Sequence, residues 1–187
     1  MKTTLETPNE IRSQIWQELS RAARDRHHAW RTPVIATACK DGSVNARTVV
    51  LRNVDKNAGL LQIFTDARSP KATELTSQPK SVFVFWSSRL GWQLRVSVNA
   101  TLLSKGPLVE RLWSEVKESP AASDYLSSFA PGTPLAKSNN KTKDEALNTS
   151  HFAVLNAQVL EIDWLELART GHRRARLTAN NWEWLVP

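Results

Sequence analysis

The stretch VIATACKDGSVNARTVVLRNV, residues 34–54, decides the fold. Val34 to Cys39 reads as a strand, because β-branched and small residues alternate with a period of two. Asp41-Gly42 follows, a dipeptide that favours the left-handed conformations of a tight hairpin turn. Val44 to Val54 then reads as a second, long strand. Asp55 to Gly59 forms the next turn, and Leu60 to Thr65 a third strand, so the segment is a β-meander.

Upstream, Thr7-Pro8-Asn9-Glu10 has the pattern of a capping box, with Thr7 as N-cap and Pro8 in the first helical position. Ile11, Ile15, Trp16, Leu19 and Ala22 follow at helical spacing, and Pro33 stops the helical segment 1–32. Downstream, Ser69-Pro70-Lys71 opens a short helix ended by Pro79, with Ser69 as its cap. Ser81 to Trp86 and Trp92 to Leu103 read as further strands, the apolar run Val82 to Trp86 suiting a buried one. Gly106 to Glu118 and Ala121 to Phe129 read as helices around Pro120, and residues 130–150 as a polar mobile loop. His151 to Leu167, Arg173 to Thr178 and a short segment ending at Pro187 complete the strands. Strands at hairpin spacing without regular βαβ alternation predict a mainly β fold with helical additions: an antiparallel barrel formed by residues 1–187 as one domain.

With 187 residues the chain is long enough for a real core. No apolar run approaches the length of a membrane span, and the polar N-terminus does not read as a secretory signal, so a cytoplasmic home is expected. One cysteine, Cys39, excludes an internal disulfide framework. The net charge of +7 calls for an anionic partner: nucleic acid, a phosphorylated small molecule or a membrane surface.

No Walker loop, G-x-G-x-x-G or G-x-S-x-G motif is present, and the four histidines lack metal-ligand spacing, so no metal is expected. Four segments carry the candidate chemistry. In Ala46-Arg47-Thr48-Val49-Val50-Leu51-Arg52-Asn53 the two arginines are five apart, which a regular strand sends to opposite faces. Either they are solvated gatekeepers of an edge strand, the more ordinary reading, or a bulge turns both to one ligand. Phe64-Thr65-Asp66-Ala67-Arg68-Ser69-Pro70-Lys71 runs from a strand end into a helix start, where orphan N–H groups, a hydroxyl and two cations converge as an anion site. Trp92-Gln93-Leu94-Arg95-Val96 and Gly171-His172-Arg173-Arg174-Ala175-Arg176 place polar and basic side chains on later strands.

In this order the four segments, with a terminal W-x-x-L-x-P, resemble the pyridoxamine 5′-phosphate oxidase family of FMN-binding split barrels, and within it a branch of related flavoproteins with poorly defined substrates. The resemblance implies a split β-barrel, an FMN cofactor, and a homodimer with FMN at the subunit interface. It implies that Arg47 meets the FMN phosphate, that Thr48, Val49, Val50 and Leu51 lie along the cofactor, and that Arg52 stands near the flavin ring and the substrate. Phe64 and Thr65 would contact the flavin, Ser69 and Lys71 its phosphate, and Gln93 would reach it from the facing subunit. Arg173 would belong to the substrate site and Arg176 to the flavin site. Departures are concentrated on the substrate side. Pro70 stands where the family has an arginine, with Arg68 as its replacement cation. Ala175 stands where a histidine is expected, and the phosphate-gripping positions map onto Trp113, Lys117 and Ala121. The implied function is hydride transfer from a small substrate, possibly phosphorylated, to FMN. The alternatives are a flavin reductase, a flavin-binding protein without turnover, and, less favoured, a nucleic-acid binder, because the basic residues are dispersed instead of forming one stripe.

Overall fold

The first helix forms where its cap residues place it. In the computed structural model, which describes residues 7–135 and 150–187, helix α1 spans Pro8–Ala22. The Thr7 hydroxyl accepts from the Glu10 N–H at 3.3 Å, and Glu10 accepts from the Thr7 N–H at 3.0 Å. Ile11, Ile15, Trp16, Leu19 and Ala22 are buried as their spacing predicts. The helix ends well before Pro33, and a 3-10 turn at Ala29–Arg31 then drives Trp30 into the core. Glu18 is buried on the same helix, 2.7 Å from both His28 and Arg89, which ties α1 to the turn after the fifth strand.

The described strands are β1 (Val34–Ala38), β2 (Val44–Thr48), β3 (Leu51–Asp55), β4 (Leu60–Asp66), β5 (Lys80–Ser87), β6 (Trp92–Leu103), β7 (Phe152–Glu166), β8 (Arg173–Leu177) and β9 (Trp182–Leu185). Helices α2 (Pro70–Ser77) and α3 (Pro107–Val116) interrupt them. The sheet order is β2-β1-β5-β6-β7-β4-β3, with β8 and β9 added beyond β7 and every pairing antiparallel.

The single strand expected from Val44 to Val54 is two strands. It breaks at Val49-Val50: β2 pairs with β1 and β3 pairs with β4, at opposite ends of the sheet. The barrel therefore closes through the chain itself, not through a continuous hydrogen-bond ladder. A small closed sheet needs such a corner, where one strand changes partners. Val49 anchors it by donating to the Pro33 carbonyl at 2.9 Å, and Val49 and Leu51 are buried.

Inside lie Ile35, Phe83, Phe85, Leu94, Val96, Ile63, Ile162 and Trp164. The run Val82 to Trp86 is not buried throughout: Phe83 and Phe85 point inward, while Trp86 is 47% exposed on the outer face. The helix expected at Ala121–Phe129 is a 3-10 turn, Pro120–Tyr125. With α3 it covers a second apolar cluster on the outside of β4 and β7, formed by Phe64, Val109, Trp113, Tyr125, Phe152 and Val154. Much of the loop expected at 130–150 lies outside the described residues.

Candidate functional site

The β4–α2 junction gathers the densest set of functional side chains. Thr65, Asp66 and Ser69 are buried there. Ser69 precedes α2 as expected, but its hydroxyl makes no capping bond. It lies 3.1 Å from the Thr65 hydroxyl and accepts from Lys71 Nζ at 3.4 Å. The start of α2 thus has no side-chain cap; Pro70 carries no N–H and the Ala72 and Thr73 N–H groups bond the Ser69 carbonyl, which leaves the Lys71 N–H at the positive end of the helix dipole. Lys71 is half-buried and forms no ion pair among the described residues. Burial, and then the nearby Arg47 charge, pull its ammonium below the usual lysine range, although Asp66 and Glu74 oppose them. A desolvated cation without a carboxylate partner, beside a second cation and two hydroxyls, is an environment that an anion relieves.

Arg47 reaches the same helix from β2. Its Nη2 lies 2.9 Å from Glu74 Oε2, and its Nη1 donates to the Thr37 hydroxyl. Glu74 also accepts from Thr37 at 2.6 Å and from Asn45 at 2.7 Å. Burial pushes the Glu74 carboxyl up, but these hydrogen bonds and the Arg47 cation outweigh it and hold the group below the ordinary carboxylate range. Sequence reasoning missed Glu74; its place one turn after Lys71 on α2 was the available signal.

Arg52 occupies a β-bulge. Leu51 pairs with Ile63 and Asn53 with Gln62, leaving Arg52 without a partner on β4. The bulge lays its guanidinium over the Phe64 ring, 5.5 Å from the centroid, and the Tyr125 hydroxyl faces it. Phe64 stacks edge-on against Phe152 at 4.9 Å, and Tyr125 against Phe152 at 5.1 Å. Burial raises the Tyr125 phenol above its ordinary range. Both arginines therefore flank the junction, from separate strands. Tyr125, the one tyrosine of the chain, carried no sequence signal.

Arg68 has other partners. It donates to Asp66 through its backbone N–H (2.7 Å), Nε (3.1 Å) and Nη2 (2.7 Å), and to the carbonyls of Ser127 and Phe129 at 2.9 and 3.3 Å. Burial raises the Asp66 carboxyl, and Arg68 more than reverses this. Arg68 thus clamps the 127–129 segment to β4, with its charge met by Asp66. Thr48 and Val50 sit at the strand break, and the Leu51 carbonyl accepts from Arg31 at 2.6 Å.

The remaining candidates divide between this end of β7 and its far end. Trp113 belongs to the outer aromatic cluster, 5.5 Å from Phe152. Lys117 is 51% exposed and lies 3.9 Å from Glu118. Gln93 pairs with Leu165, Arg173 donates to Glu166 at 2.7 Å and lies over Trp164, and Arg176 meets Glu161 and Glu183. These last three sit at the far end of β7 from Phe152, roughly 35–45 Å along the strand from the junction. Within one chain the predicted residues thus form two groups, one at each end of β7. Among the described residues no group of three His, Cys, Asp or Glu could hold a metal, and no helix is long and apolar enough to cross a membrane.

Residues 13–104, which include β1 to β6 and both arginine strands, match the family profile described as "Pyridoxamine 5'-phosphate oxidase, FMN-binding domain". This segment belongs to the pyridoxamine 5′-phosphate oxidase FMN-binding family. FMN is accordingly the cofactor. The family segment begins upstream of Pro33, inside α1, and stops before Trp113, Lys117, Arg173 and Arg176. Among curated relatives, the pyridoxine/pyridoxamine 5′-phosphate oxidase of Leptospira interrogans is 34% identical over 85 residues, 46% of this chain and 39% of the relative. That of Trichormus variabilis is 38% identical over 63 residues, 34% of this chain and 28% of the relative. The matched part thus spans well under half of these relatives. Among solved structures, a pyridoxamine 5′-phosphate oxidase-related, FMN-binding protein from Nostoc punctiforme superimposes with a TM-score of 0.74 at 23% identity, covering 97% of this chain and 98% of that one. PhzG from Burkholderia lata, solved with tetrahydrophenazine-1-carboxylic acid, gives 0.72 at 18% identity and covers all of both chains. At these identities the two structures establish the fold, the split barrel of the pyridoxamine 5′-phosphate oxidase family.

Proposed function

We propose that this protein is an FMN-dependent oxidoreductase: one split-barrel domain, working as a homodimer, that removes a hydride equivalent from a small molecule. The observation that carries the reading is the half-buried Lys71, unpaired with any described carboxylate, beside Arg47 and the uncapped start of α2 in the family segment. These groups fit a phosphate monoester, and in this reading Lys71, Arg47, Ser69 and Thr65 hold the FMN phosphate. When bound, FMN supplies two-electron chemistry at its N5. The segment Thr48 to Leu51 lies along the cofactor, and Phe64 contacts it. Arg52 provides a cation that stabilises negative charge on the reduced ring. Gln93, Arg173 and Arg176, too far along β7 to reach the junction of their own chain, complete the site of the facing subunit. Val44 and Trp86, exposed large apolar side chains, supply surface for that contact.

The substrate side favours a molecule other than a phosphorylated pyridoxine. Lys117 is turned to solvent beside Glu118, and Trp113 is packed into the aromatic cluster, which in this reading speaks against a phosphate grip by these two residues. That observation keeps a flavin reductase as the second reading. The test is an absorption spectrum of the purified protein, with the chromophore released by heat and identified by chromatography. FMN released in about one equivalent per chain supports the proposal; a colourless protein that does not take up added FMN overturns it. Anaerobic photobleaching with candidate donors, pyridoxamine phosphate against nicotinamide nucleotides, separates the two readings.

A further inference from the structure

A cavity lies far from the β4–α2 junction. It has a volume of about 430 Å³ and opens between α1, the β3–β4 turn at Lys56–Gly59, the middle of β7 and the residues after β8. The length of β4, roughly 20 Å, separates it from Thr65 and Ser69. Its floor is Ile15, Trp16, Ile162 and Leu177, all members of the main core. Among the described residues its charged lining is Arg12 and Lys56, both cations, with no aspartate or glutamate.

The walls are held before any ligand arrives. Arg12 donates to the Thr178 carbonyl at 2.7 Å and the Asn181 carbonyl at 3.1 Å, which fixes its guanidinium at the mouth. The side-chain amide of Gln158 donates to the carbonyls of Ala58 and Gly59 at 2.8 and 3.2 Å, which pins the turn to β7. Asp55 holds the same turn from the other side by accepting the N–H groups of Asn57 and Ala58. The cavity thus combines an apolar floor with polar walls from Asn9, Ser13, Asn57, Gln158 and Thr178, and concave sites of this size with fixed polar groups are where small molecules bind.

We propose that this cavity is a second ligand site, for a small aromatic or medium-chain monocarboxylate. The apolar body rests on Ile15, Trp16, Ile162 and Leu177. The carboxylate sits at the mouth between Arg12 and Lys56, where Arg12 adds a charge-assisted contact without losing its carbonyl bonds. Because Arg12 also ties α1 to the β8–β9 turn, occupancy of the cavity stiffens the C-terminal strands against the helix.

The proposal is tested by calorimetric titration of the protein as purified with 1-naphthoate, and with 1-naphthol as the uncharged analogue. The expected result is saturable binding of one naphthoate per chain, at least tenfold weaker for naphthol. Lys56→Glu, on an exposed turn, weakens naphthoate at least tenfold, and Ser13→Trp, which fills the mouth from α1, removes binding. Flavin content, read in the same samples, stays at the wild-type level, so failure here is distinct from failure of the FMN assignment. No saturable binding at millimolar naphthoate overturns the proposal, as does equal affinity for naphthol or undiminished binding by Ser13→Trp.

Discussion

Arg47 and Glu74 form an ion pair whose two halves are unequally buried, and removing them one at a time has unequal consequences. The Glu74 side chain is 10% exposed, and that of Arg47 26%. Arg47→Ala leaves a nearly buried carboxylate with Thr37, Asn45 and the weak Cys39 thiol as its donors. Stripping the partner from a fully buried charge costs about 3–5 kcal/mol, and the retained donors and partial exposure reduce this to about 2 kcal/mol. Glu74→Gln leaves a guanidinium that reaches water and an amide that keeps the Asn45 bond, for about 1 kcal/mol. In a chain of this size the difference in stability lowers the melting temperature of Arg47→Ala by about 4–8 °C and that of Glu74→Gln by half as much. The assay is thermal and urea unfolding of the flavin-free protein from pH 7 to pH 3. Glu74 has a folded-state pKa below its unfolded value, so its stabilising contribution is complete above the ordinary carboxylate pKa of about 4.3 and is lost as pH falls through the depressed value. The gap between wild type and Arg47→Ala therefore narrows below about pH 4. Equal costs for the two substitutions, or a gap independent of pH, would refute the assignment of Glu74 as the buried partner.

Three further outcomes follow from the same geometry. Lys71→Met weakens FMN binding by about 1.5–3 kcal/mol, roughly 10- to 100-fold, while riboflavin, which has no phosphate, binds as before; equilibrium dialysis with both flavins decides it. Phe152→Ala empties the centre of the outer aromatic cluster, where Phe64, Trp113 and Tyr125 all contact its ring, and lowers stability by about 3–5 kcal/mol in urea unfolding. Trp86→Glu places a charge on the outer face and halves the mass measured by light scattering; an unchanged mass moves the subunit contact elsewhere.

Features set by near neighbours were legible in the sequence. The capping box at Thr7–Glu10, the Asp41-Gly42 turn and β6 from Trp92 to Leu103 all lie where period and turn chemistry put them. The placing of Ser69 and Lys71 at the start of α2 was legible for the same reason, because a strand end, a serine, a proline and a lysine stand together in the chain. Tertiary structure decided what depends on closing the sheet. The break at Val49-Val50 exists because one segment must pair with β1 at one edge and β4 at the other. The bulge at Arg52 re-aims a side chain that a regular alternation would send elsewhere, and lays it over the Phe64 ring. Glu74 and Tyr125 came beside the predicted residues only when α2 and the turn after α3 packed against strands distant in sequence, and Arg68 found its partner in buried Asp66. Local hydrogen bonding and periodicity are encoded over a few residues, whereas the partner of a buried charge is set by whichever element the closed barrel brings within reach.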